Sequence, residues 1–328
     1  MKLSIIVPVY NTREYLAACL DSVLLPDHRD YELLIVNDGS TDGSGAIAAE
    51  YARRFPGLVR VITTENGGLG AARNVGLENA AGDYLLFLDS DDSLEKGALD
   101  ELLPLLDGSF DIGIFDIVQV NPAGVPVGHL SGCSKGGDFT LEEYPALLFD
   151  YPSACNKLFR RSLFLDTGVR FPGRVWFEDL RTVPKLYPGA CIRYLSRPWY
   201  RYLIRPGSIT NSANTARNLE IIDAAEEIIH FYRKAGLYER YENELCYMAF
   251  YNGFLTASVR VNAADAGSEV QERLLLWFTE AFPGWRENPY IRCLSGKHRL
   301  LTRLLMRRMR RSVHLIMKLN DLVKNKKG

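Results

Sequence analysis

The chain has 328 residues, 47% hydrophobic and 24% charged, with a formal net charge of −1, a composition ordinary for a soluble globular protein and long enough for one large domain or two smaller ones. No run approaches the roughly 20 apolar residues of a membrane span, and the N-terminus lacks the apolar core of a signal peptide. Six scattered cysteines without a CxxC pair argue for reduced thiols in an intracellular protein, against a disulfide framework or a cysteine-bound metal.

In chain order, the β-branched run Leu3–Val7 predicts a first strand, and apolar spacing over Thr12–Leu25 predicts a helix with Thr12 as its N-cap. A second strand, Tyr31–Val36, ends in Asn37-Asp38-Gly39, and Ser40 or Thr41 can cap a helix running to Arg54. A third strand, Leu58–Thr63, leads through Gly67-Gly68 into a helix over Leu69–Ala80. Tyr84–Leu88 is a fourth strand. Strands alternating with helices of about a dozen residues predict a mostly parallel sheet flanked by helices. Further on, the pattern predicts a helix over Leu94–Leu106, a strand over Phe110–Val120 and a Gly/Pro-rich hairpin or loop over 121–138. Leu141–Phe149 reads as helical, Glu178–Leu186 as a short helix and Ile192–Ile204 as an aromatic strand. From residue 213 onward only helices are expected, over Asn218–Ala235, Tyr238–Val261, Ser268–Phe282 and Lys297–Lys324. Two regions follow, 1–212 and 213–328.

The fourth strand runs straight into Asp89-Ser90-Asp91-Asp92. The carboxyl ends of parallel strands are where open α/β sheets bind ligands. Asp89 and Asp91, two residues apart, point the same way on an extended backbone. Like charges so crowded suit a hard divalent cation that also carries phosphates, or else a solvated acidic turn capping the next helix. Glycine at the sixth position of an EF-hand loop is absent, since Leu94 stands there. Neither a G-x-G-x-x-G nor a P-loop signature occurs.

Asp38 is placed to accept hydrogen bonds from a base or ribose, or simply to build a turn. Arg73 follows a glycine lead-in near a helix N-terminus, which reads as an anion site or as an exposed arginine. Glu178 and Asp179 follow Trp176-Phe177 and offer a general base or an acidic first turn. Arg193, Arg197, Arg201 and Arg205 share a spacing of four, which puts them on one face of an unbroken strand. That face suits a diphosphate or solvent. Of 39 basic and 40 acidic residues, eleven and one fall between Lys297 and Gly328, which leaves the rest of the chain at −11. That basic amphipathic tail reads as a binder of anionic membrane surface or as a helix packed on the acidic body. No nucleic-acid motif accompanies it.

Taken together, LSIIVPVYN, LLIVNDGSTDGS, NGGLGAARNVGL, GDYLLFLDSDD, NKLFRR and WFEDL resemble the family 2 glycosyltransferases of the GT-A fold, of the bacterial polysaccharide-building type. The likeness covers residues 1–212. It implies an α/β, nucleotide-diphospho-sugar transferase fold with an all-helical C-terminal region. By that resemblance Pro8, Tyr10 and Asp38 hold the base and ribose of a nucleotide-sugar, usually UDP, and Arg73 lies near its phosphates. Asp89-Ser90-Asp91 matches the DxD motif, with Asp91 the ligand to Mn²⁺ or Mg²⁺ and Asp89 nearer the ribose. Asp179 of the ED motif is the implied catalytic base, with Glu178 beside it. Asn156, Lys157 and Trp176 match positions near the donor sugar or acceptor, and Arg201 and Arg205 are candidates for the diphosphate. The implied reaction is inverting, onto a glycan or lipid-linked acceptor, at the cytoplasmic face of the membrane, with a homo-oligomer left open. Processive members carry QxxRW and membrane spans, which this sequence lacks, so one sugar per encounter is expected. Two other readings stand beside it: a nucleotidyltransferase, which lacks its glycine-rich loop after the first strand here, and a non-catalytic nucleotide-sugar-binding protein.

Overall fold

Seven consecutive buried residues, Leu3–Val9, form β1 at the middle of an eight-stranded sheet. The structure is a computed structural model that describes residues 1–24, 30–205, 216–265 and 268–325, without the side chains of 319–325. It divides into two compact units, Met1–Pro206 and Gly207–Gly328, and the boundary expected at 212 lies outside the described residues.

In the first unit, β1 is followed by α1 (Arg13–Asp21), β2 (Tyr31–Asp38), α2 (Ser44–Arg54), β3 (Val59–Thr64), α3 (Leu69–Asn79) and β4 (Tyr84–Phe87). β1 pairs in parallel with β2 on one side and β4 on the other, and β2 with β3. Both faces are covered, which is why β1 is buried at every position and apolar at all but Ser4, rather than alternating. Leu3, Ile5 and Val7 share a core with Leu16, Leu20, Ala48 and Tyr51. On the opposite face Ile6 meets α3 at Gly76, where any side chain would collide with it. Ser40 and Thr41 do not cap α2. Its N-cap is Gly43, and Asp42 accepts the Ser44 amide instead.

Beyond β4 come β5 (Ser93–Leu94), α4 (Ala98–Leu102), β6 (Ile112–Ile114), β7 (Ile117–Val120), β8 (Pro126–Leu130), β9 (Gly137–Phe139), β10 (Lys157–Arg160), α5 (Arg161–Thr167), α6 (Glu178–Thr182), β11 (Ile192–Tyr194) and β12 (Tyr200–Leu203). The main sheet runs β3-β2-β1-β4-β10-β6-β11-β9, and a second sheet runs β5-β12-β7-β8. Two expected strands are therefore each two strands in different sheets. Phe110–Val120 breaks between β6 and β7, where buried Asp116 accepts the Gly132 amide and the Tyr194 hydroxyl. Ile192–Ile204 breaks between β11 and β12, at Ser196 with φ 45° and at Pro198, which has no N–H for a ladder. The expected helix over Leu94–Leu106 begins only at Ala98, behind Gly97 in the left-handed region. Leu141–Phe149 holds a 3₁₀ turn, Pro145–Phe149, rather than an α-helix.

The second unit is helical: α7 (Glu220–Lys234), α8 (Tyr238–Met248) continuing through a π-helical stretch, Ala249–Thr256, into α9 (Ala257–Ala264), then α10 (Glu269–Ala281), α11 (Pro289–Arg292), α12 (Gly296–Met306) and α13 (Arg310–Asn325). The single terminal helix expected over Lys297–Lys324 is broken at Arg308, φ 56°. α13 folds back on α9, with the Asn262 amide donating to Arg310 O and His314 Nδ1 at 2.9 Å from Asn262 O. Arg308 and Arg310 both clamp Glu272.

Candidate active site

The strand order places β2 and β4 on opposite sides of β1, so the order in which strands are added reverses beside β1. Ligand crevices of doubly wound sheets open at the carboxyl ends of the strands there. Three of the singled-out segments meet at that point: Tyr10 after β1, Asp38 at the end of β2, and Asp89-Ser90-Asp91-Asp92 after β4.

Arg73 is the centre of the site. Its guanidinium is 1% exposed and bridges Asp89 (Nη2–Oδ1 3.0 Å), Glu178 (Nη1–Oε1 3.0 Å) and Asp179 (Nη1–Oδ1 2.6 Å). It lies over the rings of Phe171 and Phe87. Burial opposes its charge, but Asp179, Asp89 and Glu178 together hold its pKa above the ordinary value. The three carboxylates outnumber this one cation. Burial, then the charge of Asp179, pushes Glu178 up to about 7 against the pull of Arg73. Burial likewise raises Asp89. The exposed-arginine reading of Arg73 is overturned.

Two local features bring α6 to α3. Gly70 has Pro172 O where a side chain would stand, so α3 and the segment before α6 can touch. Asn74 then takes both backbone groups of Phe171, donating to its O at 2.7 Å and accepting from its N–H at 3.0 Å. Phe177 enters α6 at φ 64°, a left-handed conformation that is an outlier for an aromatic residue. Nothing in the local sequence marks Asn74, because its partner lies about a hundred residues away.

The acidic turn divides by role. Asp92 is no helix cap: it accepts the Tyr200 hydroxyl at 2.7 Å and the Leu203 amide at 2.7 Å, tying the turn to β12. Burial, with Asp91 and Asp89 nearby, raises its pKa well above the carboxylate range. Ser90 is buried and accepts from Thr12 Oγ1 at 2.9 Å, which is why Thr12 does not cap α1. Asp91 is partly exposed and pairs with Arg205 (Nη2–Oδ2 2.8 Å), whose guanidinium stacks on Tyr15.

The remaining candidates sort clearly. Pro8 is buried in β1, and Tyr10 is exposed at its end. Asp38 is 3% exposed, and its two oxygens accept the amides of Gly67 and Gly68 at 2.7 and 2.9 Å. The glycine lead-in of α3 thus binds an anion, but that anion is the chain's own Asp38. Gly68, φ 87°, has no room for a side chain beside the Arg174 backbone. Trp176 packs edge-on against Phe177 one turn from the acids. Asn156 and Lys157 are completely buried, with internal partners for their polar groups, so they stand behind the site rather than lining it. The four arginines do not share a face. Arg193 pairs with Asp138 and Arg197 with Glu101, while Arg201 holds Glu95 and Gly124 O. Only Arg205 reaches the acidic turn.

A family model described as glycosyl transferase family 2 matches residues 4–168. The chain belongs to glycosyl transferase family 2. Glycosyltransferase GlyA of Streptococcus pneumoniae serotype 4 is 34% identical over 240 residues, 70% of this chain and 34% of GlyA. The poly(ribitol-phosphate) beta-N-acetylglucosaminyltransferase TarS of Staphylococcus aureus is 32% identical over 219 residues, 65% of this chain and 37% of TarS. The chain therefore spans about a third of the length of these two curated relatives. Among solved structures, S. aureus TarS 1–349 in complex with UDP-GlcNAc has a TM-score of 0.63 at 25% identity, over 98% of this chain and 92% of that one. The mannosyltransferase PcManGT of Pyrobaculum calidifontis, solved with GDP-Man and Mn²⁺, shares the fold at TM-score 0.52 and 18% identity. The expected α/β, GT-A fold is the observed one.

The family resemblance implies a divalent metal. The donor set suits a hard cation, since Asp89 and Asp91 offer carboxylate oxygens, while the nearby Cys19 thiol donates to the Asp89 backbone O. Among the described residues no group of three metal-binding side chains forms a cage. Asp91 and Asp89 would hold a cation in the way Mg²⁺ is bound through one or two carboxylates together with substrate phosphates.

Proposed function

We propose that this family 2 chain is an inverting, metal-dependent glycosyltransferase that adds a sugar from a UDP-sugar to a hydroxyl of a glycan or lipid-linked acceptor in cell-surface polysaccharide synthesis. The observation that carries this reading is the Arg73 cluster, which joins the strand-end acid Asp89 to the helix acids Glu178 and Asp179 around one buried cation. Neither a nucleotidyltransferase nor a passive binding fold has need of Asp179 in that position.

Pro8, Tyr10 and Asp38 hold the nucleoside. Asp91, with Asp89 beside it, holds Mn²⁺ or Mg²⁺, which when bound supplies positive charge to the departing diphosphate. Arg205 exchanges Asp91 for the diphosphate oxygens. Arg201, committed to Glu95, does not join it. The acceptor hydroxyl oxygen forms a bond to the anomeric carbon as its proton passes to the Asp179 carboxylate. The bond from that carbon to the phosphate oxygen breaks, and its electron pair leaves on UDP. One displacement inverts the configuration, by the geometry that governs inverting glycosidases. A carboxylate has about four lone-pair sites. The bonds of Asp179 to Arg73 and to the Ala154 amide therefore fix its orientation and still leave room for a proton.

The deciding experiment is product formation, with a panel of UDP-sugars and Mn²⁺, by Asp179→Asn and Asp91→Ala. Loss of about 10³-fold or more is expected for the base. Full activity in either variant overturns its assignment.

Attachment to an anionic membrane surface belongs to the same reading and is supported by α12 and its C-cap, where Arg299, Arg303 and Arg307 are exposed, as is Leu300. Among the described residues no helix is long and apolar enough to cross a membrane. Reversing those three charges is expected to abolish co-sedimentation with phosphatidylglycerol vesicles. Unchanged co-sedimentation would refute the attachment.

A further inference from the structure

Lys157 is a charged side chain with no exposure to solvent, and sequence resemblance alone put it near the sugar or acceptor. Its ammonium has three N–H groups, and all three are used: Tyr151 O at 2.9 Å, Ser153 O at 2.7 Å and Asn156 Oδ1 at 2.9 Å. Asn156 is itself fixed to the end of β6, donating from Nδ2 to Phe115 O and accepting the Phe115 amide at its own O. The segment 151–156 is thus wrapped around one buried cation anchored to the main sheet.

The peptide bond between Ser153 and Ala154 is what matters. Its oxygen accepts from Lys157, and its N–H donates to Asp179 Oδ2 at 2.9 Å. The bond is trans, so oxygen and hydrogen point in opposite directions and cannot be turned independently. A cation grips one end of this rigid dipole and the carboxylate the other, an arrangement in which each hydrogen bond polarises the next. We propose that Lys157 is a positioning residue that holds Asp179 in its reactive orientation through the Ser153–Ala154 peptide group.

Arg73 holds the other oxygen of Asp179, so the two cations fix the carboxylate from opposite sides. An uncharged methionine of similar length would fill the Lys157 cavity without the desolvation penalty of a buried ammonium. Burial pulls the lysine pKa down to about 8 against the opposing pull of Cys155, Asp179 and Asp150. The charge is therefore retained at a cost to stability, which fits a role in the site.

This inference rests on Asp179 being the general base, and the test separates the two ideas. Lys157→Met is compared with the wild-type chain for melting temperature, calorimetric UDP affinity, and kcat and KM for the donor. The expected result is a kcat lower by about tenfold, the scale of one charged hydrogen bond, with UDP affinity and donor KM unchanged. In an Asp179→Asn background the same substitution is expected to change the residual rate by less than about twofold, because the group it positions is gone. An unchanged kcat in folded Lys157→Met overturns the proposal, as does an equal loss in both backgrounds or a parallel loss of UDP affinity. Should Lys157→Met fail to fold, Lys157→Gln keeps an N–H for the carbonyls and is judged by the same criteria. Failure of Lys157→Gln to fold as well assigns the lysine to stability and overturns the proposal too. Full activity in Asp179→Asn alone would instead refute the general base and leave Lys157 as a loop anchor.

Discussion

The two halves of the first unit solve the same problem in different ways. From β1 to β4 each strand is one run in one sheet, each crossover is one helix, and the functional groups sit at strand ends. From β5 to β12 the strands are short, two of them change sheets in mid-run, and the acids Glu178 and Asp179 arrive on a five-residue helix. The first half is held by apolar burial on both faces, and its groups are positioned by the ladder. The second half is held by buried polar ties: Asp116 to Tyr194, Asp92 to Tyr200, Lys157 to its carbonyls, Asn74 to Phe171. The β4–β10 ladder joins the halves in the sheet, and Arg73 joins them at the site, on a first-half helix with two of its three partners in the second. Precision in the second half therefore depends on single polar groups, and single substitutions there should show it.

Removing the joint should have the largest effect. Arg73→Met leaves Asp89, Glu178 and Asp179 close together without their shared cation. Breaking a buried ion pair from one side costs about 3–5 kcal/mol, and three partners put this site at the upper end. Urea denaturation is expected to show a loss of that size together with loss of transfer activity. A loss below about 1 kcal/mol would mean that the β4–β10 ladder and the other ties hold the halves together without Arg73.

The next effect is on pH dependence. Glu178 has an ordinary value of 4.5 and is pushed up to about 7 by burial and Asp179. An acid whose pKa is raised by folding stabilises the fold while protonated. That contribution is complete below about 4.5 and disappears as the pH climbs through 7. Between these limits the wild-type chain should lose stability relative to Glu178→Gln, which cannot ionise. Parallel stability curves for the two proteins over this window would show that Arg73 fully offsets the burial of Glu178.

Asn74→Ala tests whether the second half needs its ties individually. Two hydrogen bonds to the Phe171 backbone are lost, worth about 1–3 kcal/mol with the orphaned groups included. A drop in kcat larger than the drop in stability accounts for is expected, since the segment leading to Asp179 is released. Unchanged kcat in a destabilised Asn74→Ala would assign the clamp to stability alone.

The same contrast explains what could be read from the sequence. Leu3–Val7, Tyr31–Val36 and Tyr84–Leu88 announce themselves because two-sided burial demands nearly continuous apolar runs, interrupted only by Ser4 and Glu32, which bond each other. Asp38, Asp89 and Asp91 follow from those strands, since strand ends fix them. β10 went unseen between Phe149 and Glu178 because Lys157-Leu-Phe-Arg160 is only four residues long and opens on a buried lysine. The break at Ser196 is invisible to periodicity, because Ile192–Ile204 stays aromatic and basic on both sides of it. Even spacing then suggested one arginine face where a change of sheet has scattered four. Asp92 looked like a spare acid because Tyr200, its partner, lies 108 residues away.

Arg201 gives the smallest effect and the cleanest control for Arg205. Both are arginines on or just beyond β12, both pair with an acid, and the spacing argument treated them alike. Arg201 holds Glu95 and a backbone carbonyl at the rim of the second sheet, with the acid 42% exposed. Exposed pairs of this kind contribute about 0–1 kcal/mol. Arg201→Gln is therefore expected to shift the urea midpoint barely and to leave kcat and donor KM within about twofold. Arg205→Gln should raise donor KM by about tenfold, the scale of the one charged bond to the diphosphate that the proposed function assigns to it. Equal effects of the two substitutions on KM would restore the shared arginine face that the fold has divided. Their separation would show that contact with Asp91, and not position along the sequence, decides which arginine serves the site.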